Sequence, residues 1–386
     1  MNRISVIVPL YQGNKYIDGL IYQIEKCAEK IEGYLVELIF SNDDPKQEVA
    51  AAVSSAVIDI IVVNTKQNRG IHGARVRGLE YSKGDFILFL DQDDEIDELF
   101  LKKQIRFLEH YDYDAVVCNA LSAGRIKYNV DRPLIKAISK ECMIREGCMI
   151  LSPGQVLMRR EAVSEIWKRN IMHKNGADDW LLWVCMHAEG KKFAINDEVL
   201  FRRKMHYSNT SFDSLKMAES EKEAVAIIEN HGILSAQELY DIKRLLPMLQ
   251  INRVKENEKW KKQFMILSDW MFLKQHGVGL GSYLETFDFK TSAIYGYGEL
   301  GKNLAFELRD SAVSVKYFLD RNADFLFADT VPVYKLEDNP EKVDVVVITL
   351  LRENGQQAEQ AIKSKMDAKI VWLEDIVEYL QNSYNG

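Results

Sequence analysis

The stretch FILFLDQDDEID, Phe86 to Asp97, ends an apolar run in Asp91, Asp93, Asp94, Glu95 and Asp97. Carboxylates crowded at a strand end repel one another, so the cluster calls for a capping role, a cation or polar partners. In an extended segment residues two apart share a face, so Asp91 and Asp93 are expected to converge while Asp94 points away. A hard dication such as Mg²⁺ takes one or two carboxylates together with substrate phosphates, which suits a nucleoside diphosphate. The alternative is that these aspartates cap a helix starting near Asp97. A second pair, Asp178 and Asp179, opens DDWLLWVCMHAEG, whose apolar spacing is helical. One of the two can cap that helix while the other faces a cleft, where a carboxylate can serve as a general base. A third feature is IYGYGELG, which places Gly296, Gly298 and Gly301 in GxGxxG spacing, with Asp320 at the end of the following apolar run. That spacing between a strand and a helix allows close backbone approach to a pyrophosphate.

The elements that must hold these residues are legible as alternation. ISVIVPL, VELIF, IDIIVVN, DFILFLD and DAVVCNA read as strands buried on both faces of a mostly parallel sheet. Between the first two, Ile17, Leu20, Ile21, Ile24, Cys27, Ala28 and Ile31 recur at helical spacing. The expected fold class is α/β. Three segments are expected: a catalytic α/β domain over 1–212, a charged helical connector over 213–287 broken at Gly232 and Pro247, and a small α/β domain over 288–386. In the last, SAIYGYGELG, VSVKYFLD, VDVVVITLL and AKIVWLED supply strands and the glycine turn.

Composition narrows the partners. Among 386 residues 47% are hydrophobic, enough for sizeable cores, and the formal net charge of −8 argues against a chain-wide attraction to nucleic acid. Five scattered cysteines without CxxC spacing fit reduced thiols in a cytosolic chain. The N-terminal apolar run is broken by Pro9, too early for a signal peptide, and no run reaches the length of a spanning helix. A cytoplasmic location is expected, with peripheral attachment at the inner face of a membrane left open.

In order along the chain, SVIVPLYQGNKYIDGLIYQI, ELIFSNDDP, NRGIHGARVRGLEYSKGDFILFLDQDDEID and GADDWLLWVCMHAEGKKF resemble the motifs of family 2 glycosyltransferases, over roughly residues 1–211. The resemblance implies a GT-A fold and transfer, with inversion, of a sugar from a nucleotide-sugar to a hydroxyl of a glycan or lipid-linked glycan. It further implies Mn²⁺ or Mg²⁺, and UDP is the favoured nucleotide. By matched position it places Asp93 on the metal, Asp91 near the donor ribose and diphosphate, and Asp43 of SNDDP at the base edge; Pro9, within the first motif, is a further candidate nucleotide-sugar-binding residue. Asn42, Asp44 and Pro45 depart from the usual VDDGS. Arg75 is the candidate for the diphosphate, whereas Arg77 is expected to be a solvated helix arginine, and His72 is left open between donor site and loop. Asp179 holds the position of the family's base. Trp180 and Trp183 are expected in the core or the cleft wall. In LFRRKMHYSNTS, His206 is a second candidate metal ligand, with Arg202 or Arg203 toward the diphosphate. The C-terminal unit resembles Rossmann-like modules appended to bacterial sugar-modifying proteins, with Gly296, Gly298, Gly301 and Asp320 as its candidate nucleotide-binding residues. Two other readings remain open: a nucleotide-binding regulatory or scaffold protein with a degenerate transferase domain, and an NAD-dependent oxidoreductase using the C-terminal glycines. Homo-oligomerisation is left open.

Overall fold

The computed structural model describes residues 2–49, 54–122, 124–204, 213–326, 331–338 and 340–385. Two compact units divide the chain, Met1–Asn252 and Arg253–Gly386.

Nine strands build the sheet of the first unit among the described residues: β1 (Asn2–Leu10), β2 (Tyr34–Asn42), β3 (Asp59–Asn64), β4 (Phe86–Phe89), β5 (Glu95–Ile96), β6 (Ala115–Ser122), β7 (Arg125–Ile126), β8 (Val156–Arg159) and β9 (Phe193–Arg203). Their order is β3-β2-β1-β4-β8-β6-β9-β5, with β7 on β6. The continuous apolar runs of β1, β2 and β4 are buried on both faces, as strands covered by helices must be. Helix Ile17–Glu29 packs through Ile17, Leu20, Ile24 and Cys27.

The sheet is mixed, which corrects the expectation of a mostly parallel one. Strands β1 to β4 are parallel, but β8 inserts antiparallel between β4 and β6, and β5 runs antiparallel to β9. The chain builds outward from β1 to β3 and then returns to lay β4 on the other side of β1. Such a reversal leaves a crevice beyond the carboxyl ends of the strands, where the loops diverge. Pro9 is tolerated in this central strand because of its place. Ile7, of the same parity, ends the β1–β4 pairing and takes the Leu90 N–H on its carbonyl, so the N–H that Pro9 lacks falls where the ladder has stopped.

Helix Ser214–His231 stops at Gly232, whose φ of +59° is a left-handed C-cap. Pro247 does not break the chain's next helix. Helix Ala236–Gln275 runs 40 residues through it, sacrificing one backbone hydrogen bond within a long ladder.

In the second unit β10 (Thr291–Tyr295), β11 (Ser314–Leu319), β12 (Val333–Tyr334), β13 (Val345–Ile348) and β14 (Lys369–Trp372) form a parallel sheet in the order β12-β11-β10-β13-β14. The chain reverses direction between β10 and β13. Gly296, with φ +108°, turns the chain out of β10, and Gly298 is the N-cap of helix Glu299–Glu307. Gly301 lies so close beneath that turn that an added Cβ would stand 2.1 Å from the Gly296 carbonyl oxygen. Gly301→Ala is therefore expected to destabilise this unit by ~3 kcal/mol, since backbone rather than a flexible side chain must yield. Denaturant unfolding of the intact variant, followed by hydrogen exchange in β10 and β13, checks it; unchanged protection there refutes the close packing.

Candidate active site

A cleft of about 650 Å³ opens beyond the carboxyl ends of β1, β2 and β4, lined among others by Pro9, Tyr11, Asp43, Arg75, Asp91, Asp93, Asp94, Ser152, Asp179 and Arg203. Its wall after β1 is held by a reciprocal amide pair: Tyr11 N–H donates to Gln92 Oε1 at 3.0 Å, and Gln92 Nε2 donates to the Tyr11 carbonyl at 3.2 Å. Gln12, at φ +49°, takes a backbone conformation that non-glycine residues seldom adopt, so the rim of the cleft is strained where it bends.

Asp43 comes directly after β2 and is buried. Its carboxylate accepts the Arg69 N–H at 3.0 Å and the Arg77 Nη2 donor at 2.7 Å. Arg77 is therefore not a solvated helix arginine: its Nη1 also donates to the Asn42 carbonyl, and the side chain clamps the loop after β2. Asn42 and Asp44 form a local turn, with Asp44 N–H donating to Asn42 Oδ1 and Lys46 N–H to Asp44 Oδ1.

The four residues Asp91–Asp94 are a turn, closed by Asp94 N–H on the Asp91 carbonyl at 3.2 Å, rather than an extended segment. That changes where the side chains go. Asp94 does not point away; it is buried, accepts the Lys204 N–H at 3.3 Å, and lines the cleft with Asp91 and Asp93. Burial, together with the charges of Asp91 and Asp93, pushes its carboxyl up to about 8. None of these three caps the next helix. Phe100–His110 has no side-chain N-cap, and it is Asp97 that accepts the Leu99 N–H.

Arg75 lies across the floor. It is 3% exposed and donates to Asp91 Oδ1 and to Asp178 Oδ2, each at 2.5 Å, while its Nε is buried without a partner. Burial alone would lower its pKa, but the carboxylates of Asp178 and Asp91 more than offset this and raise it. Both terminal nitrogens being held by carboxylates, Arg75 joins the two acidic clusters instead of standing free for a diphosphate.

Asp178 and Asp179 occupy the first turn of helix Asp178–Ala188, where the helix dipole favours negative charge. Neither is the N-cap, which is Ala177, itself without a side-chain cap bond. Asp178 is buried against Arg75. Asp179 is half-buried at the cleft, with Oδ1 accepting the Trp180 N–H at 2.7 Å. Burial and then the neighbouring Asp178 carboxylate push Asp179 up to about 7, the range in which a carboxylate exchanges protons near neutrality.

His72 belongs to the core. Fully buried, it stacks 4.4 Å from Trp167, and its Nδ1 accepts the Met172 N–H at 3.0 Å. Trp180 and Trp183 are buried too. Burial lowers the His72 pKa to about 4 from 6.5. A depressed histidine contributes stability that is complete above 6.5 and lost as pH falls toward 4, up to about 3 kcal/mol. Denaturant titrations at pH 7 and pH 4 should show a smaller acid loss for His72→Asn than for the parent; equal losses would refute a neutral buried His72.

His206 lies outside the described residues. Arg203 lines the cleft, whereas Arg202 pairs through the backbone with Glu95 across β9 and β5. In the second unit Asp320 accepts the Tyr297 N–H at 3.0 Å and the Asn322 N–H at 2.9 Å, so its carboxylate braces the glycine turn. Sequence reasoning passed over Gln92, Ser152 and the structural part of Arg77. Ser152 Oγ stands 3.4 Å from Asp91 Oδ2, 61 positions away, and nothing local marks it.

The first unit thus combines a mixed α/β sheet with a carboxylate-lined cleft at its switch point, and a second, smaller parallel sheet comes after it in the chain. Residues 5–167 match the family model described as Glycosyl transferase family 2, so the first unit carries a domain of that family. An uncharacterized glycosyltransferase of Haemophilus influenzae is 32% identical over 113 residues, 28% of this chain and 43% of that protein. The minor teichoic acid biosynthesis protein GgaB of Bacillus subtilis is 31% identical over 110 residues, 28% of this chain and 12% of that protein. The chain thus spans less than half the length of these curated relatives. Among solved structures, the mannosyltransferase PcManGT of Pyrobaculum calidifontis in complex with GDP-Man and Mn²⁺ is 14% identical, with TM-score 0.45, covering 66% of this chain and 73% of that one. TarS 1–349 of S. aureus in complex with UDP-GlcNAc is 17% identical, with TM-score 0.44, covering 64% and 72%. No described helix is long and apolar enough to cross a membrane.

Proposed function

We propose that the first unit is a metal-dependent, inverting glycosyltransferase moving a sugar from a nucleotide-sugar, with UDP favoured, to a hydroxyl of a glycan or lipid-linked glycan. The observation that carries this reading is one cleft, in a family 2 domain, that combines a fixed acceptor at its base end (Asp43), a crowded carboxylate turn (Asp91, Asp93, Asp94) and a carboxyl tuned to about 7 (Asp179).

Asp43, locked by Arg77 and Arg69, presents an acceptor suited to the imide N–H of uracil. The carboxylate turn fits a dication: Asp94 is pushed to about 8 by burial and by repulsion that a cation would relieve. The described residues contain no ready-made group of three or more ligating side chains, so substrate phosphates would have to complete the sphere. Asp93 would hold the ion, with Asp91 Oδ2 beside it, and a bound Mn²⁺ or Mg²⁺ would offset charge on the leaving diphosphate. Asp179 takes the proton from the acceptor hydroxyl as that oxygen attacks the anomeric carbon. The Arg75 guanidinium favours the charged form of Asp179 against the repulsion of Asp178, and the Trp180 N–H holds its Oδ1.

For the whole chain we keep three functional segments, 1–212 for transfer, 213–287 as a helical connector and 288–386 as a Rossmann-like module with a structural or ligand-sensing role. Screening nucleotide-sugars for binding and for hydrolysis, with NAD(H) as comparator, tests the reading. Turnover of one nucleotide-sugar without NAD reduction is expected; reduction of NAD with a sugar substrate, or no nucleotide-sugar binding, overturns it.

A further inference from the structure

The loop over residues 173–177 leads directly into helix Asp178–Ala188, so its placement decides where Asp179 stands. His173, Lys174 and Asn175 are exposed, and water alone could satisfy their backbone groups. Four backbone groups of this loop are nevertheless bonded to one helix, Ser214–His231. The Glu223 carboxylate accepts the His173 N–H on Oε1 and the Lys174 N–H on Oε2, each at 2.8 Å. Ser220 Oγ, fully buried, accepts the Ala177 N–H at 2.9 Å and donates to the Lys174 carbonyl at 2.9 Å. Between the two anchors Gly176, at φ +130°, makes the bend that glycine permits.

The helix that supplies these bonds is itself fixed. Met217, Ser220, Ala224 and Ile228 are spaced three and four apart and share one face. Ala224, Val225 and Ile228 belong to the core of the first unit, and Met217 lines the same cleft as Asp179. Ala177 is the N-cap of helix Asp178–Ala188 and its carbonyl accepts the Leu181 N–H at 3.0 Å, so the first turn inherits the position that Ser220 gives Ala177. On its other side the loop is tied by Asn175 Oδ1, which accepts the Ile71 N–H at 3.0 Å in the first turn of helix Gly70–Tyr81. Removing the bonds to Ser220 and Glu223 therefore shifts the loop without releasing it.

We infer that Ser220 and Glu223 are positioning residues for the proposed base, and that helix Ser214–His231, which its charge pattern places in a connector, is a wall of the transfer site. The inference rests on sugar transfer as the reading of the cleft. The donor end has its own supports, Asp43 on Arg77 and Asp91 on Arg75, so the loss should fall on turnover and spare donor affinity.

The test uses the full chain with Ser220→Ala, Glu223→Ala, both together, and Glu223→Gln. Each is titrated calorimetrically with UDP and Mn²⁺ and assayed in single turnover with whichever nucleotide-sugar the parent consumes. UDP affinity and stoichiometry should stay parental. The rate should fall about tenfold for each alanine and about a hundredfold for the pair, the scale of a misplacement of about 1 Å. Glu223→Gln keeps one acceptor of two and should fall between parent and alanine. A clamp that only maintains the fold would instead lower UDP stoichiometry and rate together, because part of the sample would be unfolded. Should the buried Ser220 variant misfold, the partly exposed Glu223 pair decides. Parental rates in the Glu223 variants, or a rate loss there matched by lost UDP stoichiometry, would overturn the inference and leave the transfer reading intact. A parent that consumes no nucleotide-sugar overturns both.

Discussion

Asp179→Asn is expected to slow sugar transfer by about 10² to 10⁴ while leaving donor affinity near normal. The amide preserves the shape and can still accept the Trp180 N–H through its oxygen, so helix Asp178–Ala188 keeps its first turn. What it loses is the ability to take a proton. Because burial and Asp178 hold this carboxyl at about 7, the rate in the parent enzyme should fall as pH drops below 7, where the base is protonated, and level off above it. The asparagine variant should lack that acidic limb. Single-turnover rates across pH 5 to 9, read beside donor binding, check both points. Transfer at the parental rate, or a variant that keeps the limb, would assign the proton to another group.

The second large effect is expected at Asp93. Asp93→Ala should abolish the gain in donor affinity that manganese provides and reduce turnover to background, because the diphosphate then loses its bridging cation and meets the remaining charge of Asp91. Folding should survive. The ion pairs that hold the floor belong to Asp91 and Asp178 through Arg75. A variant that still turns over with metal-enhanced affinity would remove Asp93 from the site.

What could be read from the chain, and what could not, divides along the range of the interactions. Strands β1, β2 and β4 announce themselves because burial on both faces demands uninterrupted apolar runs, whereas the apolar run of β3 lies half-exposed at the sheet edge. The antiparallel half does not. β8 offers only VLMR, and β9, FAINDEVLFRR, mixes charged residues into a strand whose pairing to β6 is irregular. The carboxylates themselves stand out by type and spacing, but their directions depend on distant partners. Asp94 turns inward to Lys204, 110 positions on, and Arg77 reaches Asp43, 34 positions back. Arg75 shows the same limit: its place in the helix was visible, while its commitment to Asp91 and Asp178 requires the tertiary fold. Pro247 shows that a local breaker yields when a long helix continues on both sides.

The most direct measurement is a calorimetric titration of UDP into the full chain, with and without Mn²⁺, repeated with GDP and with NAD⁺. A cleft built around Asp43, Asp91 and Asp93 should bind UDP, more tightly with the metal, and should prefer it to both comparators. Equal UDP affinity with and without Mn²⁺, or no UDP binding at all, would contradict a metal-assisted nucleotide-sugar site.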